Sequence, residues 1–318
     1  MDDIMEQNDT TKREVFEKIF SNLRYVYFNY QVNRCVSEFM NALKTRSNKI
    51  IESTIVYKAL DLLLTESEKK SGLSKTLPMG TILYRARKVD FEKLKKEDMG
   101  ITCNENGFEG YDEYNSKEPT IGISPDARNS VSGSSYLYLA EDDYTAVSEI
   151  VPYPLDIISV ARFQTQKEIH LIDVSTNLSE ESLDFFEEHN IKASLLITSI
   201  MQKYSTPVTN IEDYIATQYI SDMIRKMGYD AVKYGSSRTS KPCVTLFNCH
   251  KSFIKYIDSY LVFCDTVEPI VYDINNKKCI TQHSELYNDR DYELLKCQLR
   301  KKIDNCKREL EKTVNNGK

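Results

Sequence analysis

The sequence predicts an α+β protein, in which a mixed β core with helices is preceded by a helical module and followed by a charged amphipathic helix. Three observations carry this expectation. Before residue 72 apolar residues recur at three and four; the middle of the chain alternates short strands and helices without strict βαβ order; the end carries one narrow apolar stripe. The expected divisions are a helical module at 1–75, the mixed core at 76–280 and the terminal helix at 281–318.

The elements follow in order. In "TKREVFEKIFSNLRYVYF", Val15, Phe16, Ile19, Phe20 and Leu23 share one helical face, and "IVYKALDLLL" continues the period to Leu64. Gly72, Pro78 and Gly80 in "SGLSKTLPMG" close this module over 12–72. "TILYRAR" then starts a strand at 81. From 90 to 133 the chain is polar and holds Gly100, Gly107, Gly110, Gly122 and Gly133, half of its ten glycines, which predicts irregular loops of the kind that carry function. "YLYLA" is a strand running into a short acidic helix that reaches Glu149 before the "VPYP" break, and "DIISVARF" and "EIHLIDV" are two further strands. Helices expected over 192–204 and 211–227 lead to "YDAVKYGSS" and the strands "CVTLFN" and "KYIDSYLVF". In the last helix, 286–314, Leu295, Leu299, Ile303, Cys306 and Leu310 recur at four, four, three and four. Such a stripe needs cover from the body or from a second copy.

Charge and cysteine usage narrow the function classes. A net charge of −6 gives no global positive field for nucleic acid or an anionic membrane, so any phosphate contact is expected to be local. No apolar run approaches the ~18 residues of a membrane span, and the first residues lack the basic and apolar regions of a secretion signal, so a cytoplasmic location is expected. The eight cysteines form no CxxC pair and are expected as free thiols. "CVTLFNCH" with Cys264 fits no common zinc spacing, whereas Cys243, Thr245 and Phe247 alternate as strand residues do, and no metal is expected.

Four elements combine into a constellation: Arg85 in "LYRAR", Arg128 in "SPDARNSVSG", Glu149 closing "YLYLAEDDYTAVSE", and Ser236 in "YDAVKYGSS". Singly, each is an ordinary surface arginine, solvated glutamate or turn serine. In this order they resemble the RES-domain family, named for an arginine, a glutamate and a serine. "LYRAR" is similar to the family's opening Tyr-Arg strand, "ARNSVSGSSYLYLAEDDYTAVSE" to its arginine turn and Thr-Ala-x-x-Glu block, and "YIATQYISDMIRKMGYDAVKYGSSRTSKPCVTLFN" to its closing Thr-Gln helix and Tyr-x-Ser turn. The resemblance covers about 76–265. Ala127 stands where the family has glycine, and "RTSKP" replaces a glycine pair, which leaves Ser236 and Ser237 both open; the spacing from Tyr234 favours Ser236.

The resemblance implies an ADP-ribosyltransferase-like fold and an enzyme that destroys NAD by hydrolysis or phosphorolysis, a toxin or defence effector held by an antitoxin partner. NAD is then substrate, and phosphate a possible second one. The chemistry of the residues agrees. Breaking the nicotinamide–ribose bond develops an oxocarbenium-like sugar, which the carboxylate of Glu149 is suited to stabilise. The pyrophosphate calls for planar, permanently charged donors, a role that fits Arg85 and Arg128. Tyr138 offers a ring face to nicotinamide or a hydroxyl to ribose, and Ser236 orients the ribose or carboxamide. Two other readings stay open: a protein ADP-ribosyltransferase using the 90–133 segment toward its acceptor, and a non-catalytic adaptor whose terminal helices hold partners. Those same helices could serve self-association or an inhibitor.

Overall fold

The computed structural model describes residue 30 and residues 32–65, 72–104, 107–122, 124–175, 203–204, 214–239, 241–265, 271–273 and 289–316. The apolar face expected over 15–23 and most of the helix expected over 192–204 lie outside these residues. The chain divides into two compact units, Met1–Gly72 with Asn177–Lys203, and Leu73–Thr176 with Tyr204–Lys318.

The first unit is helical where it is described: α1 (32–45), α2 (Asn48–Ser53) and α3 (Ile55–Thr65). Val32, Phe39, Ala42 and Leu43 line one side of α1, and Val56, Ala59, Leu60, Leu63 and Leu64 one side of α3, as the spacing predicts. Between α1 and α2 the backbone turns at Arg46, with φ 54°.

The second unit is built on an eleven-stranded sheet. Its strands are β1 (Ser74–Leu77), β2 (Ile82–Lys88), β3 (Thr102–Asn104), β4 (Gly107–Glu109), β5 (Leu137–Ala140), β6 (Ile157–Thr165), β7 (Ile169–Asp173), β8 (Ala231–Gly235), β9 (Pro242–Leu246), β10 (Ile254–Cys264) and β11 (Val271–Asp273). The spatial order is β1-β7-β8-β9-β5-β2-β6-β10-β4-β3, with β11 paired to β10. Only β7 and β8 run parallel among these pairs, so the expected mixed α+β architecture holds. The helices are α4 (Phe91–Leu94), α5 (Glu113–Ser116), α6 (Asp143–Glu149), α7 (Ile215–Lys226) and α8 (Asp289–Asn316). No described helix is long and apolar enough to cross a membrane.

Two stretches differ from expectation. The breaker segment "SGLSKTLPMG" contains β1, which pairs with β7 from Ser74↔Ile172 to Leu77↔Ile169, between glycines turning at φ 64° (Gly72) and 86° (Gly80). Its polar residues make no strand pattern because the ladder partner supplies the order. The 90–133 segment is likewise not all loop: it carries α4, β3, β4 and α5.

Alternation along the strands assigns the two sheet faces. Leu83, Leu137, Leu139, Phe163, Leu171, Val244 and Leu246 form the core on one face. The register pairs Tyr84 with Ala140, Tyr138 with Thr245, and Cys243 with both Ala140 and Tyr234, so these residues share the other face. A second core cluster receives α8: Leu299, Ile303 and Cys306 are buried among Leu94, Met99, Phe108, Leu261 and Phe263. The body of the second unit thus covers the narrow stripe.

Candidate active site

Glu149 is placed by a short helix with a firm start and an abrupt end. The Asp142 carboxylate accepts from the Thr145 N–H at 2.7 Å, which caps α6, and Thr145, Ala146, Val147 and Ser148 are buried against the sheet. The helix stops after Glu149 because Val151 turns to φ 48°, a costly conformation for a β-branched residue, and Pro152 and Pro154 follow. Glu149 therefore sits on the last turn, at the edge of a cleft of about 340 Å³ that Tyr84, Arg128, Tyr138, Tyr214, Tyr234 and Cys243 also line.

Ser236 follows the end of β8 and meets Glu149 from the far side. Its Oγ donates to Glu149 Oε1 and accepts from the N–H groups of Arg238 at 3.0 Å and Thr239 at 3.1 Å. The hydroxyl is therefore aimed at the carboxylate by the backbone of its own loop, and Thr239 is tied back to α6 through Thr145 at 2.9 Å. Of the two serines left open by spacing, Ser236 is the one whose Oγ reaches Glu149.

Arg128 lines the same cleft from a tight turn. Ala127 and Ser130 close that turn by a two-residue bridge, N–H to carbonyl at 2.9 and 3.3 Å. The guanidinium carbon of Arg128 lies 5.6 Å from the centre of the Tyr214 ring, a cation–π arrangement. Tyr138 supports the turn: its hydroxyl accepts from the Asn129 N–H at 3.2 Å and shares a 2.8 Å bond with Ser130 Oγ. Asn129, 2% exposed, donates from Nδ2 to Thr245 Oγ1 at 2.6 Å and accepts from Ser221 Oγ at 3.2 Å.

Arg85 also borders this cleft, but its head group is engaged elsewhere. It alternates with Tyr84 on β2, pairs with Ala161 and so projects from the sheet face opposite Tyr138 and Cys243. Its Nη1 donates to the carbonyls of Ser116, at 2.7 Å, and Lys117, while Arg87 donates to those of Asn115 and Lys117 at 2.6 and 3.0 Å. Two neighbouring arginines thereby hold the C-terminal end of α5. Burial, helped by the charge of Arg87, lowers the Arg85 pKa to about 9, which leaves it charged at neutral pH.

Three groups of the cleft wall, Tyr138, Tyr234 and Cys243, stay neutral. Burial raises the Tyr138 phenol to about 12 and holds Tyr234 well above the ordinary range; the Cys243 thiol is raised by burial first and by the Glu149 carboxylate second. A carboxylate among neutral groups, in the same cleft as a guanidinium, suits a substrate that develops positive charge at one centre and carries negative charge at another.

Pattern reading missed Asn129, Thr217, Gln218, Ser221, Cys243 and Thr245 as site-building residues. A signal existed for some of them. Thr217, Gln218 and Ser221 are polar residues at helical spacing, with Thr217 and Ser221 fully buried on α7, and Cys243 and Thr245 alternate on the strand face shared with Tyr138.

A family model described as the RES domain matches residues 113–271, half of the chain; the span holds Arg128, Tyr138, Glu149 and Ser236 and leaves Arg85 outside. No curated protein matches the sequence. Among solved structures, a chain of the crystal structure of the M. tuberculosis MbcT-MbcA toxin-antitoxin complex aligns with a TM-score of 0.31 and 7% identity, over 64% of this chain and 93% of that one.

Proposed function

The chain belongs to the RES-domain family, and from that premise we propose that it cleaves the bond between nicotinamide and ribose in NAD, passing the ADP-ribose to water or to phosphate. The observation that carries this reading is the Glu149 carboxylate held by Ser236 in the cleft that Arg128 also lines. As the C–N bond breaks, its electron pair leaves with nicotinamide and positive charge grows on the ribose, where Glu149 stabilises it. Water then adds to the same carbon and releases a proton, or a phosphate oxygen adds and gives a sugar phosphate. Arg128 grips the pyrophosphate. Ser236 orients the carboxylate, and among the described residues no histidine is hydrogen-bonded to it that would make it a nucleophile. The geometry favours Arg128 over Arg85 for the substrate, since the Arg85 guanidinium lies across the sheet on the α5 carbonyls.

An enzyme that destroys a shared redox cofactor harms the cell that makes it unless it is restrained. The reading therefore includes a toxin or defence role in the cytoplasm and an inhibitor protein as partner.

Incubation of the purified chain with NAD, with and without phosphate, and identification of products by mass tests the reading. Free nicotinamide with ADP-ribose indicates hydrolysis, and a phosphorylated ADP-ribose formed only with phosphate indicates phosphorolysis. ADP-ribose attached to protein would replace the proposal by a transferase. Intact NAD would leave the non-catalytic adaptor.

A further inference from the structure

The turn that carries Arg128 is held from more than one side: the Asp126 carboxylate accepts from the Ser132 N–H at 2.9 Å, and Asn129 and Ser130 bond the Tyr138 hydroxyl. Ala127 and Ser130 pair by an isolated bridge, and neither residue belongs to a strand of the sheet. Two consecutive residues of α7 complete the turn. Gln218 Nε2 donates to the carbonyls of both Ala127 and Ser130 at 3.0 Å, so one side-chain amide bridges the two sides of the turn's neck. Thr217 Oγ1 donates to the carbonyl of Arg128 itself at 2.5 Å. The same helix is preceded by Tyr214, over whose ring the Arg128 guanidinium lies. One rigid element therefore holds the backbone on both sides of Arg128 and also presents the surface against which its head group rests.

We infer that Thr217 and Gln218 are positioning residues for Arg128: they hold the turn in its anion-gripping form before substrate arrives. An arginine on a mobile turn must be ordered at the moment of capture, and that entropy is subtracted from affinity; an arginine whose backbone is already held avoids most of the loss. What Arg128 grips rests on the NAD reading above. The clamp itself does not.

Two measurements separate these parts. Trypsin cleaves after arginine, so the rate of native-state cleavage after Arg128 reports how firmly the turn is held, whatever the ligand. Gln218→Leu is expected to speed cleavage at Arg128 about tenfold or more, the weight of one or two hydrogen bonds, with cleavage at arginines of α8 unchanged. Equal cleavage at Arg128 in the variant and the wild type would overturn the clamp. If Gln218→Leu does not fold, Gln218→Glu keeps the size of the side chain and removes its donors. The second measurement is a cycle on NAD turnover with Arg128→Ala. Gln218→Leu and Thr217→Val should raise KM about tenfold with kcat little changed, Thr217→Ser should restore KM, and neither loss should add to that of Arg128→Ala. Fully additive losses would show that α7 acts elsewhere than through Arg128. Absence of NAD turnover by the wild type would remove the NAD reading, and the tryptic rates would still decide the clamp.

Discussion

Ser236 Oγ donates to Glu149 Oε1 across 87 residues of sequence, and the same hydroxyl accepts from two backbone N–H groups of its own loop. The carboxylate is thus oriented by a donor that is itself held. Under the proposed reaction this pair separates two losses. Glu149→Gln keeps the shape and removes the charge needed mainly in the transition state, so NAD turnover should fall by about 10²-fold or more with NAD affinity largely kept. Ser236→Ala removes the orienting bond, together with the acceptor of the Arg238 and Thr239 N–H groups, and leaves the charge in place, so turnover should fall by about 10-fold to 10²-fold, the range of a hydrogen bond to a charged group. Steady-state kinetics on both variants checks this, and a Glu149→Gln enzyme as fast as the wild type would take Glu149 out of the mechanism.

The two arginines should respond differently. Arg128→Ala is expected to weaken NAD capture, with Arg128→Lys a partial rescue because ammonium lacks the planar fork. Arg85→Ala should act on stability instead, since it removes the Arg85 donor from the Ser116 carbonyl and leaves the Lys117 carbonyl to Arg87; a loss of about 1–3 kcal/mol is expected. KM values set beside urea midpoints would show the split, and a KM effect at Arg85 without loss of stability would contradict it.

Alkaline pH should weaken the Tyr138 wall of the cleft. The Tyr138 phenol is raised from 10.0 to about 12 by burial, against the lowering effect of its bonds to Ser130 and Asn129. Because the folded pKa lies above the unfolded one, its contribution to stability is complete below about pH 10 and is lost as the pH rises toward about 12. The stability of Tyr138→Phe should therefore fall less steeply than that of the wild type over this window, as denaturant titrations would record. Parallel slopes would mean that Tyr138 does not titrate differently in the two states.

The terminal helix is a structural part of the second unit. Ile303 is 1% exposed among Phe108, Leu261 and Phe263, so Ile303→Ala should cost about 2–5 kcal/mol, and removal of residues from 281 onward should expose that cluster and lower solubility. Thermal unfolding of the variant provides the check. A shortened chain that stays soluble and as stable as the whole would instead make α8 a detachable surface.

Much of this protein was legible in its sequence because the relevant forces are local. Alternation along "YLYLA" and "CVTLFN" specified strands and which residues share a face, the three-and-four spacing from Leu295 to Cys306 specified a one-sided helix, and the proline break at Pro152 set the end of the helix that carries Glu149. What alternation cannot specify is which face of a strand borders the cleft. For that reason Arg85 and Arg128 read as equivalent, although the register of β2 against β6 turns Arg85 toward the α5 carbonyls. The same holds for the bonds that shape the site. Thr217 to Arg128 spans 89 residues and Asn129 to Thr245 spans 116, and such pairs form only after strands distant in sequence have fixed their register. Local pattern determined the parts; non-local pairing decided which polar groups came to face one another.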